Sequence, residues 1–222
     1  MNPELLRQWM GEGVLPNLRA LSERSLNGVV HGLDCFYVGS TWPSTYTGRN
    51  PANHGMHYEI QLLSGTYDLA RAEDADFVQG DNLWTQLSRQ GKRIAALDVP
   101  LCRPTVDING IEVVDWGGHD VFFGFQSSPP ELAQELVERY GRHPQTTSCD
   151  VRYENVEDYR GFLERMETGI PTKVAWTRDL LERGGWDLLV QVFTEPHCAG
   201  HQTWHLHDPT HPAHDPAIVA DL

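Results

Sequence analysis

The sequence predicts an α/β domain with a mostly parallel sheet and flanking helices. Apolar runs typical of buried strands occur at 92–100, 111–116 and 186–193. Helical segments precede and separate them, at 81–91 and 129–141. Strands that alternate with helices favour parallel pairing, because each crossover returns the chain to the same end of the sheet. The length of 222 residues, of which 40% are hydrophobic, allows a single domain with a sizeable core.

The first part of the chain is predicted to form two helices, a short strand and a loop region. These elements are expected at 3–10, 16–24, 28–33 and 35–57. Pro3 and Pro16 suit the first turn of a helix, where a backbone N–H is not needed. The loop region is rich in Gly, Ser, Thr, Pro and Asn, which leaves room for at most one short helix.

The boundaries of the later helices follow from caps and breakers. Asp81 is expected to cap the helix that ends at Gly91, because its carboxylate can accept hydrogen bonds from the first turn. A long helical stretch at 156–183 contains Gly-Ile-Pro at 169–171, which we expect to break it. Asp215 is expected to cap a last helix that begins at the proline after it.

The charge of the chain limits its partners. The chain has 31 Asp and Glu residues and 17 Lys and Arg residues, which gives a formal net charge of −14. This sign disfavours binding to a nucleic acid polymer, because phosphate backbones attract basic surfaces. The chain has no apolar run of about 18 residues, so no membrane span is expected.

The cysteines indicate the compartment. The chain has four of them, at roughly fifty-residue intervals or more and without a CxxC pair. This pattern disfavours a disulfide framework and indicates reduced thiols in a cytosolic protein. No secretory signal is visible at the N-terminus, so a cytoplasmic location is the expectation.

Two segments that follow predicted strands carry residues suited to catalysis. Their position is relevant because ligands of α/β sheets bind beyond the carboxyl ends of the strands. The first, 38–57, brings four hydroxyl groups close together, on Ser40, Thr41, Ser44 and Thr45. A hydroxyl at the start of a helix can act as a nucleophile when N–H groups and a cation favour its ionised form. The alternative is a simple turn or cap, which Ser and Thr beside proline often form.

The second segment, 194–214, is rich in histidine. Six of the eleven histidines fall within the last 26 positions. His197 and His201 stand four residues apart, so on a helix they project to one side with Cβ atoms about 6 Å apart. Two imidazoles at this spacing can chelate one cation, and His205 extends the row. The alternative is that these histidines are solvated polar side chains on a loop and bind no metal.

Several stretches resemble one known family. The pattern TWP…TGxxPxxHG at 41–55 is similar to the nucleophile region of the type I phosphodiesterase/nucleotide pyrophosphatase family, within the alkaline phosphatase superfamily. Segments 13–30, 81–101 and 186–201 resemble other parts of the same family. The resemblance implies an alkaline-phosphatase-like core. It also implies a metal-dependent hydrolase of small phosphate esters that works by in-line attack of a Thr or Ser at a two-metal site.

The resemblance implies a nucleophile that also binds one of the metals. Thr41 precedes an aromatic residue and a proline, as the family's nucleophile does, and is expected to fill both roles. Counting back from Thr47-Gly48 by the family's usual interval reaches Val38 instead, which has no nucleophilic group. Either the loop is shorter than in the family and Thr41 or Ser40 attacks, or the nucleophile is lost.

The resemblance also assigns metal ligands. The family's second metal motif is Asp-x-x-x-His, and in this sequence His197 stands at the aspartate position and His201 at the histidine position. An imidazole in place of a carboxylate removes a negative charge and favours Zn²⁺ or another ion that prefers nitrogen ligands. The family's site holds two divalent ions, whereas the ligands found here suffice for one.

The family's first strand and its later DHG motif have no counterpart among these residues. We therefore expect 1–222 to be a single α/β domain that is part of a larger catalytic domain. A non-catalytic metal-binding remnant, or an inactive fragment of such an enzyme, is the alternative function. Another branch of the superfamily, such as a phosphomonoesterase, is a further alternative.

Overall fold

The computed structural model describes the chain except residues 1, 33, 35, 37, 38, 73, 75, 120, 147 and 150. Contacts divide the chain into two compact units, Met1–Cys35 and Phe36–Leu222, and each is described by itself. The single domain expected over 1–222 stays a prediction.

The first unit contains the two predicted helices, α1 (Pro3–Gly11) and α2 (Pro16–Glu23). Both begin at proline, and the Asn2 side chain caps α1 by accepting a hydrogen bond from the Glu4 N–H at 2.8 Å. The strand predicted at 28–33 is wrong for residues 28–32, which are irregular and exposed, and residue 33 lies outside the described residues. An apolar run becomes a strand only when another strand supplies hydrogen-bond partners, and the described part of this unit pairs no strand with it.

The second unit contains the sheet and its helices. Its described helices are α3 (Thr41–Thr47), α4 (Pro51–His54), α5 (Leu83–Ser88), α6 (Glu131–Tyr140), α7 (Val156–Glu182), α8 (Glu195–His207) and α9 (Pro216–Asp221). Its described strands are β1 (Ile60–Leu62), β2 (Leu69–Arg71), β3 (Ile94–Leu97), β4 (Gly110–Val114), β5 (Gln126–Ser128) and β6 (Leu188–Gln191). The region predicted as loop with at most one short helix therefore holds two short helices.

The main sheet has the strand order β5-β4-β3-β6. Strand β3 pairs in parallel with β4 and β6, and in register Ala95 lies between Ile111 and Leu189. Strand β5 is antiparallel to β4, while β1 and β2 form a separate antiparallel hairpin. The predicted α/β class with a mostly parallel sheet is confirmed, and each of the three long predicted strands exists at its expected place.

Helices cover both faces of this sheet. Ala95 and Leu97 of β3 pack on one side with Leu136 of α6 and Trp176 of α7. Side chains of a strand alternate between faces, so Ile94 and Ala96 point to the other side. There they pack with aromatic residues of α3 and α5, including Tyr46 and Trp84. Burial on both faces explains why β3 is continuously apolar.

Two predicted helix features are wrong. Helix α7 runs unbroken through Pro171, so the break expected at 169–171 does not occur. Residues on both sides of the proline, such as Phe162 and Trp176, are fully buried, and this packing outweighs the loss of one helical hydrogen bond. The cap of α5 is Asn82, which accepts from the Thr85 N–H at 2.7 Å, whereas Asp81 pairs with an arginine side chain.

Candidate functional site

The carboxyl ends of β3, β4 and β6 lie at one edge of the sheet, because these strands are parallel. Asp98, Asp115 and Glu195 follow the three strand ends, and all three are buried. Asp98 and Asp115 adopt left-handed backbone conformations, with φ of 59° and 55°. This conformation costs energy for residues other than glycine and is concentrated at functional sites. The candidate site therefore lies at the carboxyl edge of the sheet.

Lys173 joins two of these carboxylates. It lies on α7 and is fully buried. Its Nζ is 2.7 Å from Asp98 Oδ2 and 2.8 Å from Glu195 Oε1. Buried charges are tolerated when they are paired, so one ammonium group between two carboxylates stabilises all three. The two contacts tie the middle of α7 to the end of β3 and to the first residue of α8.

Glu195 also approaches a buried histidine. His143 Nε2 lies 3.5 Å from Glu195 Oε1, and His143 Nδ1 accepts a hydrogen bond from the Gln145 N–H at 2.9 Å. Burial is the largest influence on the pKa of Glu195 and acts to raise it, but His143 and Lys173 together hold this pKa below its ordinary value. Glu195 is therefore an ionised group that anchors the start of α8.

Asp115 has the opposite electrostatic character. Burial raises its pKa to about 6, and the nearby Asp98 carboxylate contributes in the same direction. The Phe123 N–H donates to Asp115 Oδ2 at 2.6 Å and partly offsets this rise. A carboxyl group with this pKa changes its charge near neutral pH, which few aspartates do.

The two predicted metal ligands lie side by side. His197 and His201 are both exposed on α8, and their ring centroids are 4.5 Å apart. His119, which follows β4, stacks on His197 with a centroid separation of 4.4 Å. His205 does not continue the row in the same way, because its Nε2 pairs with the Tyr159 hydroxyl at 3.0 Å. Three imidazoles therefore meet at the carboxyl edge.

The predicted nucleophile lies at the start of α3. Thr41 is the first residue of this helix and is exposed, whereas Ser40 precedes it and is 2% exposed. The Tyr46 hydroxyl of α3 donates to the Leu101 carbonyl at 2.7 Å, which ties α3 to the loop after β3. The loop after β3 and the start of α8 follow neighbouring parallel strands. Val38 lies outside the described residues.

His54 has a structural role in the turn after α4. Its Nε2 is 2.9 Å from Ser44 Oγ, and its Nδ1 accepts from the Met56 N–H at 3.2 Å. The ring is fully buried, and burial lowers its pKa. Since Nδ1 accepts, Nε2 carries the proton and donates to Ser44. The contact fixes α3 on α4 and so orients the start of α3.

The expectation of reduced cysteines is wrong for one pair. Cys149 and Cys198 form a disulfide, with Cα atoms 5.1 Å apart. Their separation of 49 residues in sequence does not limit their distance in space, because α8 folds back onto the loop before α7. Cys102 is a free, buried cysteine, and Cys35 lies outside the described residues.

The sequence patterns described above do not indicate Lys173, His143 or Asp98. A signal for Lys173 was present, since it stands in an apolar row of α7 between Met166 and Trp176, at helical spacing. A lysine in such a row needs a buried acidic partner. Its partners lie far away in sequence, on β3 and α8, and no local pattern indicates them.

The model of the type I phosphodiesterase/nucleotide pyrophosphatase family matches residues 1–217. The chain belongs to this family. The match covers the hydroxyl segment, the sheet and the histidine helix, and confirms both the resemblance and the alkaline-phosphatase-like core. Searches of curated proteins and of solved structures found no match.

Membership in the family implies a general activity. Its members are hydrolases of the phosphodiesterase/nucleotide pyrophosphatase type, they depend on metal ions, and they act on small phosphate ester or nucleotide substrates. Within the described part of the chain, none of the helices combines the length and the apolar character needed to cross a membrane.

The residues at the carboxyl edge fit a divalent cation. His197 and His201 expose adjacent imidazoles on one side of α8, at a spacing that permits both to bind the same ion. Their helix is anchored at its first turn by the buried Glu195–Lys173 pair, so the imidazoles sit on a rigid element.

Proposed function

We propose that this chain carries the reaction centre of a metal-dependent hydrolase of small phosphate esters. In this proposal Thr41 supplies the attacking oxygen, and His197 and His201 hold a divalent cation, with Zn²⁺ the preferred ion. The observation that supports it most is the pair of exposed, adjacent imidazoles on α8, the helix that follows the carboxyl end of β6. Family membership gives the reaction class.

The reaction follows from the chemistry of these groups. The Thr41 hydroxyl releases its proton to solvent, and its oxygen attacks phosphorus in line with the leaving oxygen. The new O–P bond forms as the bond to the leaving group breaks, the leaving oxygen takes a proton from solvent, and a phosphothreonine ester remains. Water then attacks phosphorus and releases the phosphate product from Thr41. The cation, when bound, neutralises charge on the phosphate oxygens and favours the ionised hydroxyl.

Exposure favours Thr41 over Ser40 as the nucleophile. The Thr41 residue is exposed at the first position of α3, whereas Ser40 is buried. A nucleophile must reach phosphorus in an incoming ester without rearrangement of the backbone. The buried hydroxyl is better suited to hold the loop before α3 in place.

The cation explains how an acidic protein can bind an anion. The chain has a formal net charge of −14, and the buried carboxyl groups of Asp98, Asp115 and Glu195 are part of it and lie at the sheet edge. A divalent ion on the imidazoles reverses the local field. Two neutral imidazoles keep the full charge of the ion, whereas an aspartate at position 197 would cancel part of it.

The test compares metal-dependent hydrolysis of a chromogenic phosphodiester by the whole chain and its variants. We expect chelator treatment to abolish turnover and Zn²⁺ to restore it. Thr41→Ala should lower kcat/KM by on the order of 10³-fold or more, because the attacking atom is lost. The double variant His197→Ala/His201→Ala should lose activity together with bound zinc.

His207→Ala is the matched control, since His207 is exposed on the same helix and lies outside the proposed site. It should retain zinc and activity. Unchanged metal-dependent turnover in Thr41→Ala would exclude this nucleophile. Zinc binding that survives Thr41→Ala and Ser40→Ala, with no cleavage by the unaltered chain, would contradict catalysis and favour a non-catalytic metal-binding protein.

A further inference from the structure

The disulfide lies beside the histidines of the carboxyl edge. Cys198 is on α8 between His197 and His201, and Cys149 is in the loop before α7. His119 Nδ1 lies 3.3 Å from Cys149 Sγ. One nitrogen and two sulfur atoms, from His119, Cys149 and Cys198, all lie within 4.8 Å of one another. Three elements distant in sequence thus converge on a small volume.

These three atoms would be suitable metal ligands if the two cysteines were reduced to thiols. Thiolates and imidazole are the ligands that structural zinc sites use, with Zn–S bonds of about 2.3 Å and Zn–N bonds of about 2.0 Å. Tetrahedral geometry then separates the ligand atoms by roughly 3.3–3.8 Å. The nitrogen already lies at such a distance from Cys149 Sγ, and reduction allows the two bonded sulfurs to move apart.

We propose that Cys149, Cys198 and His119 form a redox-controlled metal site. The site binds no metal while the two cysteines form a disulfide, and after their reduction it binds one soft divalent cation such as Zn²⁺. The ligands differ from those of the proposed reaction centre. The inference therefore goes beyond that function and does not depend on it.

The surrounding contacts keep the ligands together after reduction. The buried Gln202 side chain of α8 donates to the Cys149 carbonyl and, at 2.7 Å, to the Val151 carbonyl. Phe162 and Met166 of α7 pack around both cysteines. These contacts do not involve the S–S bond. Loss of this bond therefore leaves the loop seated on α8, and the two thiols remain neighbours.

The chemistry of opening requires a dithiol as reductant. Its two thiols transfer their hydrogens to Cys149 and Cys198, so the protein S–S bond breaks while the dithiol becomes its own cyclic disulfide. A divalent cation then displaces the two thiol protons and binds two thiolates and the His119 imidazole. The reverse change needs a disulfide oxidant and releases the cation.

The experiment uses Co²⁺ as a spectroscopic probe and Zn²⁺ as its competitor. The protein is the full chain with Cys35→Ser and Cys102→Ser, which leaves only the proposed pair of cysteines. Thiol titration of the unfolded, unreduced protein should give no free thiol, and dithiol treatment should give two per chain. After removal of the dithiol, the reduced protein should bind one Co²⁺ with a thiolate-to-cobalt charge-transfer band that Zn²⁺ abolishes. The oxidised protein should lack this band.

Further variants separate this site from the proposed reaction centre. Cys198→Ser should lose the charge-transfer band, and His119→Ala should lose or shift it. His197→Ala/His201→Ala should keep the band, whatever happens to ester hydrolysis. The proposal is overturned if reduced protein binds Co²⁺ without a thiolate band, or if the band survives Cys198→Ser. Far-ultraviolet circular dichroism of each variant confirms that it is folded when these readings are taken.

Discussion

Charged residues of this protein differ in whether their ionic partners are buried or exposed to solvent. Lys173 and Lys92 are the two lysines of the chain, and they occupy opposite environments. Lys173 is fully buried between Asp98 and Glu195, whereas Lys92 pairs with Asp187 at 3.2 Å in a contact half exposed to solvent. Removing one partner of a buried pair leaves a buried charge without compensation, whereas an exposed pair contributes little. Substitution of each lysine therefore compares a buried ion pair with an exposed ion pair in the same protein.

Lys173→Met is expected to destabilise the protein by about 3–5 kcal/mol. Methionine has a similar length but leaves the Asp98 and Glu195 carboxylates buried without their ammonium partner. Lys92→Met should cost about 0–1 kcal/mol, because water solvates the Asp187 carboxylate that remains. Urea unfolding of both variants at neutral pH measures the difference. Equal losses in the two variants would mean that the buried contacts are not an ion pair.

Among the elements, α7 contributes most to the position of the site. It runs for 27 residues, carries Lys173 to the carboxyl edge and packs Trp176 and Leu180 in the core. Its approach to His143 is close, since a Cβ on Gly169 would lie 2.0 Å from His143 Nε2. Glycine is therefore required at 169 by packing, although it is unfavourable in a helix interior. Gly161 on the same helix has no such neighbour beyond the flexible end of Arg165.

Gly169→Ala is expected to destabilise the protein by about 1–2 kcal/mol net. Overpacking of a buried site costs about 1–3 kcal/mol, and alanine recovers up to about 1 kcal/mol in helix propensity. Gly161→Ala is the matched control and should be clearly less destabilising, because a gain of about 0.5–1 kcal/mol in helix propensity is set against a milder contact, 3.2 Å from Arg165 Nη1. Denaturant unfolding of both variants separates the two effects. If Gly169→Ala proved as stable as Gly161→Ala, the close packing of α7 against His143 would be disproved.

At the scale of the molecule, the sheet was more predictable than the site. Strands β3, β4 and β6 are predictable from their apolar runs, because a parallel strand covered by helices must be apolar on both faces. The helical spacing of His197 and His201 likewise places their side chains on one side of α8. Convergence of Cys149 with Cys198, or of Lys173 with Asp98, depends on how distant elements pack, and spacing in the sequence carries no such information.

The stability of the whole molecule should depend on pH through carboxyl groups of two opposite kinds. Asp187, exposed beside Lys92, has a lowered pKa because the Arg93 N–H and then the Lys92 side chain stabilise its ionised form. Its contribution is present above the pKa of the unfolded chain and is lost as pH falls through the folded pKa. Asp115 is the opposite case, because burial raises its pKa to about 6 from an ordinary value of 3.8.

Asp115→Asn is expected to become more stable relative to the unaltered protein as pH rises from about 4 to about 7. In that interval the folded chain retains the Asp115 proton longer than the unfolded chain does, so rising pH destabilises the unaltered fold. The raised pKa corresponds to a change of about 3 kcal/mol, which asparagine does not experience. Asp187→Asn, the control, should differ from the unaltered protein by a nearly constant amount over this interval, because the lowered pKa of Asp187 confines its pH-dependent contribution to pH values below its ordinary pKa of 3.8. Urea unfolding across this pH range measures the free energy of unfolding of each protein. A difference between Asp115→Asn and the unaltered protein that does not change with pH would show that the Asp115 carboxyl titrates normally.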